Sequence, residues 1–337
     1  MCVRAMKKVI EKIINNENLS EDEMRKTINT IMKGEATSCQ IGGFLTALRA
    51  KGETIEEITG AVKGMRDNML KLDMEGEFLI DTCGTGGDGG KTFNISTAVA
   101  IIAAAVKVAK HGNRAVSSKS GSADVLEALG IKTDLSPEES IKQLKEYNMS
   151  FLFAQQYHKA MKNVGKERKE LGTRTIFNLI GPLANPAPIR GQLMGIFDGD
   201  LVDKIGEVLV KLGIERGLVV HGEDGLDEIT TTSSTKVCEI CNGKTKVYKI
   251  NPEDFGIEKV SIDEISGGTP EENAEIILSI LKGEKGPKRD IVALNAGAAL
   301  FAGKKVDSIN DGFILANELI DSGKAYKKYQ QLKELVI

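Results

Sequence analysis

Over the first ~70 residues, apolar positions recur three and four apart and never alternate as a half-buried strand requires. Ser20 with Glu23 and Thr54 with Glu57 carry capping-box spacing, each just ahead of an apolar-periodic stretch, so helices are predicted to start there. At "EFLIDTCG" the pattern changes. Short apolar runs now recur as strand candidates: "FLID", "VKVAKHG", "MSFLFA", "GQLMGIF" and "GLVVHG". "TKVCEICNGKTKVYKI" alternates around Asn242-Gly243, a strong hairpin-turn signal. Helical runs separate the strands: "SADVLEALG", "SPEESIKQLKEY" with Ser136 as cap and Pro137 in the first turn, and "DLVDKIGEVLVKLG". From Thr269 on, only helices are predicted. Strand–helix alternation predicts a mainly parallel central sheet flanked by helices. The expected fold class is α/β, with a small helical domain over residues 1–75 and a larger α/β domain over 76–337.

At 337 residues the chain is long enough for two domains and a large core. A net charge of −3 removes any general electrostatic reason to bind nucleic acid or an anionic membrane. Cys2, Cys39, Cys83, Cys238 and Cys241 are scattered and odd in number, which does not suit a secreted disulfide framework. No apolar stretch is long enough to span a bilayer, and "MCVRAMKKVIEKI" is amphipathic without a signal h-region, so a cytoplasmic protein is expected. Cys238-x-x-Cys241 invites a zinc or redox reading, but it has no second pair. Positions three apart on a strand point to opposite faces, so both cysteines read as structural, and Cys83 reads as a small buried residue.

"DTCGTGGDGGKTFNIST", Asp81 to Thr97, packs five glycines into seven residues between a strand and a long apolar run. Such turns hold anions, because bare backbone N–H groups can close around them. A Walker A loop does not fit. Gly90-Lys91-Thr92 supplies its end, but its first glycine falls on Thr85. Gly84-x-Gly86-x-x-Gly89 matches the dinucleotide fingerprint, yet Lys107 and Lys110 stand about where that motif wants an acidic residue. A better reading takes the loop together with "KHGNRAVSSKSGSADVLEALG", a second small, polar and basic loop after the next strand. Two anion-holding loops at carboxyl ends of strands suit a ligand with two separated phosphate groups. "HGEDGLDEITTT" adds Glu223, Asp224, Asp227 and Glu228. Mg²⁺ prefers one or two carboxylates plus water and phosphate oxygens, and adjacent Asp227 and Glu228 can both aim at one region.

These stretches, with "ERKELGTRTIFNLIGPLANP", resemble the anthranilate phosphoribosyltransferase family, in order and over nearly the whole chain. The resemblance implies transfer of a phosphoribosyl group from phosphoribosyl pyrophosphate (PRPP) to the amine of anthranilate, in tryptophan biosynthesis, with Mg²⁺. It also implies a fold of the nucleoside phosphorylase class II type and a homodimer joined through the helical domain. Helices from about 156–182 are expected to join that domain in space.

By the same resemblance, Gly84, Gly87, Asp88, Thr92, Asn94, Ile95, Ser96 and Thr97 embrace the PRPP phosphates. Lys110, His111, Gly112, Asn113, Arg114, Ala115, Val116, Ser117, Ser118 and Ser122 complete that site. Ser96, Asp227 and Glu228 carry Mg²⁺. Gly84, Asn113 and Arg168 meet anthranilate, with Arg168 facing its carboxylate and His111 and His158 in the substrate pocket. The chain departs from the family pattern at Lys159 and at Gly165-Lys166-Glu167, where the family often has proline after the histidine and a Pro-Val pair before its arginine.

The implied chemistry needs no covalent nucleophile. Breaking the C1–pyrophosphate bond builds negative charge on the leaving group, which fixed N–H donors and a cation stabilise, and a neutral aromatic amine is already nucleophilic. His111, His158 and His221 therefore read as packing or positioning groups rather than proton relays. Spacing alone makes "HKAMKNVGKERKELG", which carries Arg168, an exposed helix. Two alternatives are a pyrimidine nucleoside phosphorylase, which would have no second anion loop of this kind, and a nucleic-acid-binding paralogue, which would need a basic surface.

Overall fold

The computed structural model describes residues 2–86, 92–115 and 119–334. Four helices come first: α1 (Cys2–Ile14), α2 (Glu21–Met32), α3 (Ser38–Lys51) and α4 (Ile55–Asp67). α2 and α4 start at the two expected capping boxes, where the Ser20 and Thr54 hydroxyls accept from the Glu23 and Glu57 N–H groups and the carboxylates answer to the cap N–H. Thr37 and Gln40 form a third box that opens α3. Glu57 is fully buried, and its carboxylate also accepts from the Leu19 N–H and from Lys51, 2.9 Å each, so the charge is paired where water cannot reach it.

Strands and helices then alternate: β1 (Leu79–Gly84), α5 (Ile95–Ile102), β2 (Lys107–Gly112), α6 (Ser122–Ala128), α7 (Pro137–Tyr147), β3 (Met149–Phe153), α8 (Ala154–Tyr157), α9 (Lys162–Leu171), α10 (Ile176–Ile180), β4 (Ile189–Gly195), α11 (Val202–Lys211) and β5 (Arg216–Gly222). A hairpin of β6 (Thr235–Cys241) and β7 (Lys244–Ile250) turns at Asn242 and Gly243, which take φ +50° and +74° as the turn signal demands. Helices α12 (Pro270–Leu281), α13 (Pro287–Ala302), α14 (Ile309–Asp321) and α15 (Lys324–Glu334) follow.

The described strands make one sheet in the order β3-β2-β1-β4-β5-β6-β7. Every pairing from β3 across to β5 is parallel, and the hairpin adds two antiparallel strands at the edge. The mainly parallel α/β class with a helical N-terminal part is therefore the observed one. From β1 the chain builds β2 and β3 on one side, then returns to place β4 on the other. The carboxyl ends of β1 and β4 thus flank a topological switch point, where open α/β sheets bind ligands.

Successive strand residues feed cores on opposite faces of the sheet, as period two requires. Ile80, Val108, Phe151, Leu193 and Leu218 join the core that holds α5, α12 and α13. Leu79, Ala109, Leu152, Met194 and Val219 join the core that contains α2, α3, α4 and α11. Cys238 is buried and Cys241 exposed on the same strand, so the thiols diverge. Cys83 is buried. Asn163 of α9 donates to Met32 O at 2.7 Å, and Arg66 of α4 reaches Leu183 O at 2.7 Å, tying the segment around α9 and α10 to the first helices.

The "HKAMKNVGKERKELG" stretch is not the wholly exposed helix that its spacing suggests. His158 is buried and ends α8, a short 3₁₀ turn follows, and α9 begins only at Lys162. α9 packs one face inward, which buries Val164 and half-buries Arg168. Among the described residues, no helix is long and apolar enough to cross a membrane.

Candidate active site

β1 delivers its glycine-rich continuation to the switch point. Gly84 and Gly195, paired at the ends of β1 and β4, leave room for the loop after β5. A Cβ on Gly84 would stand 2.4 Å from Asp227 Oδ2, and one on Gly195 only 1.6 Å from Asp227 O. A side chain at Gly195 would run into the Asp227 backbone, and one at Gly84 would push the Asp227 carboxylate out of place. Because both are glycine, Asp227 lies against the strand ends and its Oδ2 accepts from the Gly86 N–H at 2.8 Å. Gly86 itself sits at φ +69°, in the left-handed region that glycine adopts at least cost.

A polar cavity of about 390 Å³ opens above these strand ends. Of the expected PRPP residues, Gly84, Thr92, Asn94, Ile95 and Ser96 line it from the first loop. Lys110, His111, Gly112, Asn113, Arg114, Ala115 and Ser122 line it from the second. Gly87, Asp88, Val116, Ser117 and Ser118 lie outside the described residues. Thr97 is the exception. Its side chain is fully buried within α5, its N–H donates to Asn94 O, and it is absent from the cavity wall, because one helical step past Ser96 turns a side chain into the core.

The floor of this cavity is a buried charge cluster. Lys110 is 1% exposed, and its Nζ donates to Thr82 O at 2.5 Å and to Ser96 Oγ at 3.2 Å. Burial pulls the Lys110 pKa down, while Asp81 and Glu228 oppose that. Asp81 lies beneath, fully buried, accepting from the His111 N–H at 3.1 Å and from Asn185 Nδ2 at 2.8 Å. Burial raises its pKa to about 6, against the pull of Lys110 and these hydrogen bonds. Arg114, in contrast, turns to α6, where it pairs with Glu127 at 2.6 Å and Asp124 at 3.0 Å.

The acidic loop divides its work. Glu223 pairs with Lys249 at the surface. Asp224 is taken up by Thr230 Oγ1 at 2.6 Å, by Thr232 Oγ1 and by the Leu226 N–H, so it shapes the loop rather than facing the cavity. Asp227 and Glu228 do line the cavity, together with Ser96. These are hard oxygen donors of the number Mg²⁺ uses beside phosphate and water, so the donor set fits that ion. His221 serves the fold, donating from Nδ1 to Ile196 O at 2.8 Å.

A second cavity, about 540 Å³, shares the wall formed by Gly84, His111, Gly112, Asn113, Arg168 and Asn178. It continues between Met65 of α4, His158, Phe177 of α10 and Pro182. The His111 and His158 rings are 5.1 Å apart between centroids. Burial holds the His111 pKa well below its usual value and pulls that of His158 down to about 4, so both rings are neutral at pH 7. The Arg168 guanidinium lies 5.5 Å from the Phe177 ring centroid, and burial lowers its pKa. Neutral rings, an apolar wall and the half-buried Arg168 guanidinium, with Lys159 and Lys162 exposed at the edge, suit a flat aromatic acid. Met65, Phe177, Asn178 and Pro182 escape a reading of the sequence, since no charge or glycine marks them. For Phe177, Asn178 and Pro182 the signal available was the stretch "TRTIFNLIGPLANP" itself; Met65 had none.

Residues 76–326 match the glycosyl transferase family a/b domain, and residues 7–69 match the glycosyl transferase family helical bundle domain. The fold and the site thus define a glycosyl transferase with a helical bundle set beside its α/β part. A curated relative from Clostridium beijerinckii, an anthranilate phosphoribosyltransferase, is 63% identical over 331 residues, spanning 97% of this chain and 98% of its own. The solved anthranilate phosphoribosyltransferase of Thermus thermophilus superposes with a TM-score of 0.92 at 42% identity, covering 97% of this chain and 98% of that one. The Saccharomyces cerevisiae enzyme, solved with PRPP and Mg, gives 0.89 at 27% identity, with 98% and 97% covered. The chain belongs to the anthranilate phosphoribosyltransferase family.

Proposed function

We infer that this chain transfers the phosphoribosyl group of PRPP to the amine of anthranilate, giving N-(5-phosphoribosyl)anthranilate and pyrophosphate. One observation carries the reading. A polar chamber built on two anion loops and an apolar chamber with one half-buried arginine meet at Gly84, His111–Asn113 and Arg168. A phosphorylated donor in the first and an aromatic acceptor in the second would bring C1 and the amine together at that shared wall.

The proposed roles follow from placement. Gly84, Gly86 and Asn94–Ser96, with Lys110–Ala115 and Ser122, hold the phosphates. Ser96, Asp227 and Glu228 hold Mg²⁺, which when bound offsets the charge that develops on the leaving pyrophosphate. Lys110 lies beside Ser96 and supplies fixed positive charge in the same place. Arg168 pairs with the carboxylate of anthranilate, and its Phe177 neighbour restrains it. His111 and His158, being neutral, accept rather than repel the amine N–H groups. No side chain need form a covalent intermediate.

The helical and α/β parts divide near residues 70–75, which the ends of the two family matches support. Pairing of two copies through the helical part is proposed as well. Ile14 of α1 is 69% exposed and lines a shallow groove with Lys7, Ile10, Glu11 and Asn15, an apolar feature that a second copy would cover. The cytoplasm is the proposed compartment.

The deciding experiment mixes the protein with anthranilate, PRPP and Mg²⁺ and follows loss of anthranilate fluorescence. Loss that requires all three components supports the reading. No loss, with cleavage of pyrimidine nucleosides by inorganic phosphate instead, would replace it with a phosphorylase.

A further inference from the structure

We propose that Asn273, which belongs to neither anion loop, is a positioning residue that fixes the spacing of the two loops by holding the Asn94 side chain. The proposal rests on the PRPP reading above. Asn273 sits in the first turn of α12 and is 2% exposed. Its Nδ2 donates to Asn94 Oδ1 at 3.0 Å, and its Oδ1 accepts from the Gly268 N–H at 2.8 Å.

Asn94 is the N-cap of α5, yet its side chain makes no capping bond. It is used across the site instead. The same Oδ1 accepts from Ser120 Oγ at 2.9 Å, and Nδ2 donates to Ser120 O at 3.3 Å. One amide therefore joins the end of the first loop, the second loop and α12. Ser120 and Asn94 both line the polar cavity.

The chain ahead of α12 is pressed against the first loop independently of this amide. Thr92 and Ser266 form an antiparallel bridge. A Cβ on Gly267 would lie 2.5 Å from both the N and Cα of Phe93, so only glycine allows the approach. α12 thus reaches the site through a rigid backbone contact, and Asn273 passes that anchorage on through Asn94 to Ser120. A donor with phosphates on both loops requires their separation to be set before it binds, because ordering them afterwards would weaken binding.

Two single substitutions and one double-mutant comparison separate positioning from a merely structural role. Asn273→Asp still accepts from the Gly268 N–H at 2.8 Å; it gives up the long 3.4 Å contact to Gly268 O and turns an oxygen toward Asn94 Oδ1, so the main loss is the link into the site. PRPP affinity, read by calorimetry with Mg²⁺, should fall about tenfold or more, because one of the two donors to Asn94 Oδ1 is replaced by an oxygen that repels it. The KM for PRPP should rise in step, while kcat, the KM for anthranilate and the Tm stay near wild type. Ser120→Ala, which removes the other donor to Asn94 Oδ1, should weaken PRPP binding in the same direction. In an Asn94→Ala background, adding Asn273→Ala should cost no further PRPP affinity. Wild-type PRPP affinity in Asn273→Asp, or an equal loss on adding Asn273→Ala in both backgrounds, would overturn the proposal while leaving the PRPP site standing. Failure of the wild type to bind PRPP would overturn both.

Discussion

His111 and His158 face each other with ring centroids 5.1 Å apart, and the Nε2 of each is buried without a hydrogen-bond partner among the described residues. They come from β2 and from the end of α8, and Arg66 of α4 adds positive charge that disfavours protonating either one. A buried pair of unprotonated imidazoles makes stability depend on pH. For His158 the folded pKa is about 4 and the reference value 6.5. Between those values the unfolded chain binds a proton that the native one does not, so stability rises with pH across that window and is lost as pH falls through it.

Thermal melts of wild type and His158→Gln from pH 7 to pH 4 test this. The wild type should lose more stability over the range than the variant, by about 2–3 kcal/mol. Carboxylates that titrate in the same range are shared by both proteins and cancel in the comparison. Parallel melting curves would remove the assignment.

Arg168 should set the choice of acceptor. If its pair with the carboxylate is desolvated in the complex, truncation costs about 2–5 kcal/mol. Arg168→Ala should then lower kcat/KM for anthranilate by roughly 30-fold to several thousand-fold and narrow the preference for anthranilate over aniline. PRPP affinity should barely change. Arg168→Lys should not restore the preference, since an ammonium lacks the planar fork and stacks poorly on Phe177. A variant that still discriminates fully against aniline would move the carboxylate site to Asn113 or its loop.

Asp227→Asn should keep the fold, because the amide oxygen can still accept from the Gly86 N–H. Turnover should drop by about 100-fold or more, as for loss of a metal ligand or its charge. Chelation of wild type with EDTA should abolish activity, and Mg²⁺ should restore it. Full turnover in EDTA would end the metal assignment for Ser96, Asp227 and Glu228.

Gly86 offers a test of conformation alone, since a Cβ there would meet nothing within 4 Å. At φ +69° a β-branched residue is strongly disfavoured and asparagine is tolerated. Gly86→Val should abolish PRPP binding, whereas Gly86→Asn should retain a measurable fraction. Equal PRPP affinity in both variants, by calorimetry, would show that this backbone turn cradles nothing.

The local elements were legible in the chain because their causes are local. The boxes at Ser20 and Thr54 are satisfied within one turn, and the Asn242-Gly243 hairpin needs only two residues with positive φ. The glycine loop, the basic loop and the acidic pair could be picked out because glycine and charge are costly to place without a reason. What those features touch was decided only by the tertiary structure. Sequence spacing made Arg168 exposed, yet packing of α9 half-buries it over Phe177. Four acidic residues stood together in the chain, and the hydroxyls of Thr230 and Thr232 withdrew Asp224 from the site. Asp227 meets Gly86 across 141 positions and Asn273 meets Asn94 across 179, because β4 and β1 are neighbours and α12 folds back onto the first loop. Periodicity reports which face of an element is buried. It says nothing about which other element buries it, and that pairing is settled by how all the apolar faces fit together at once.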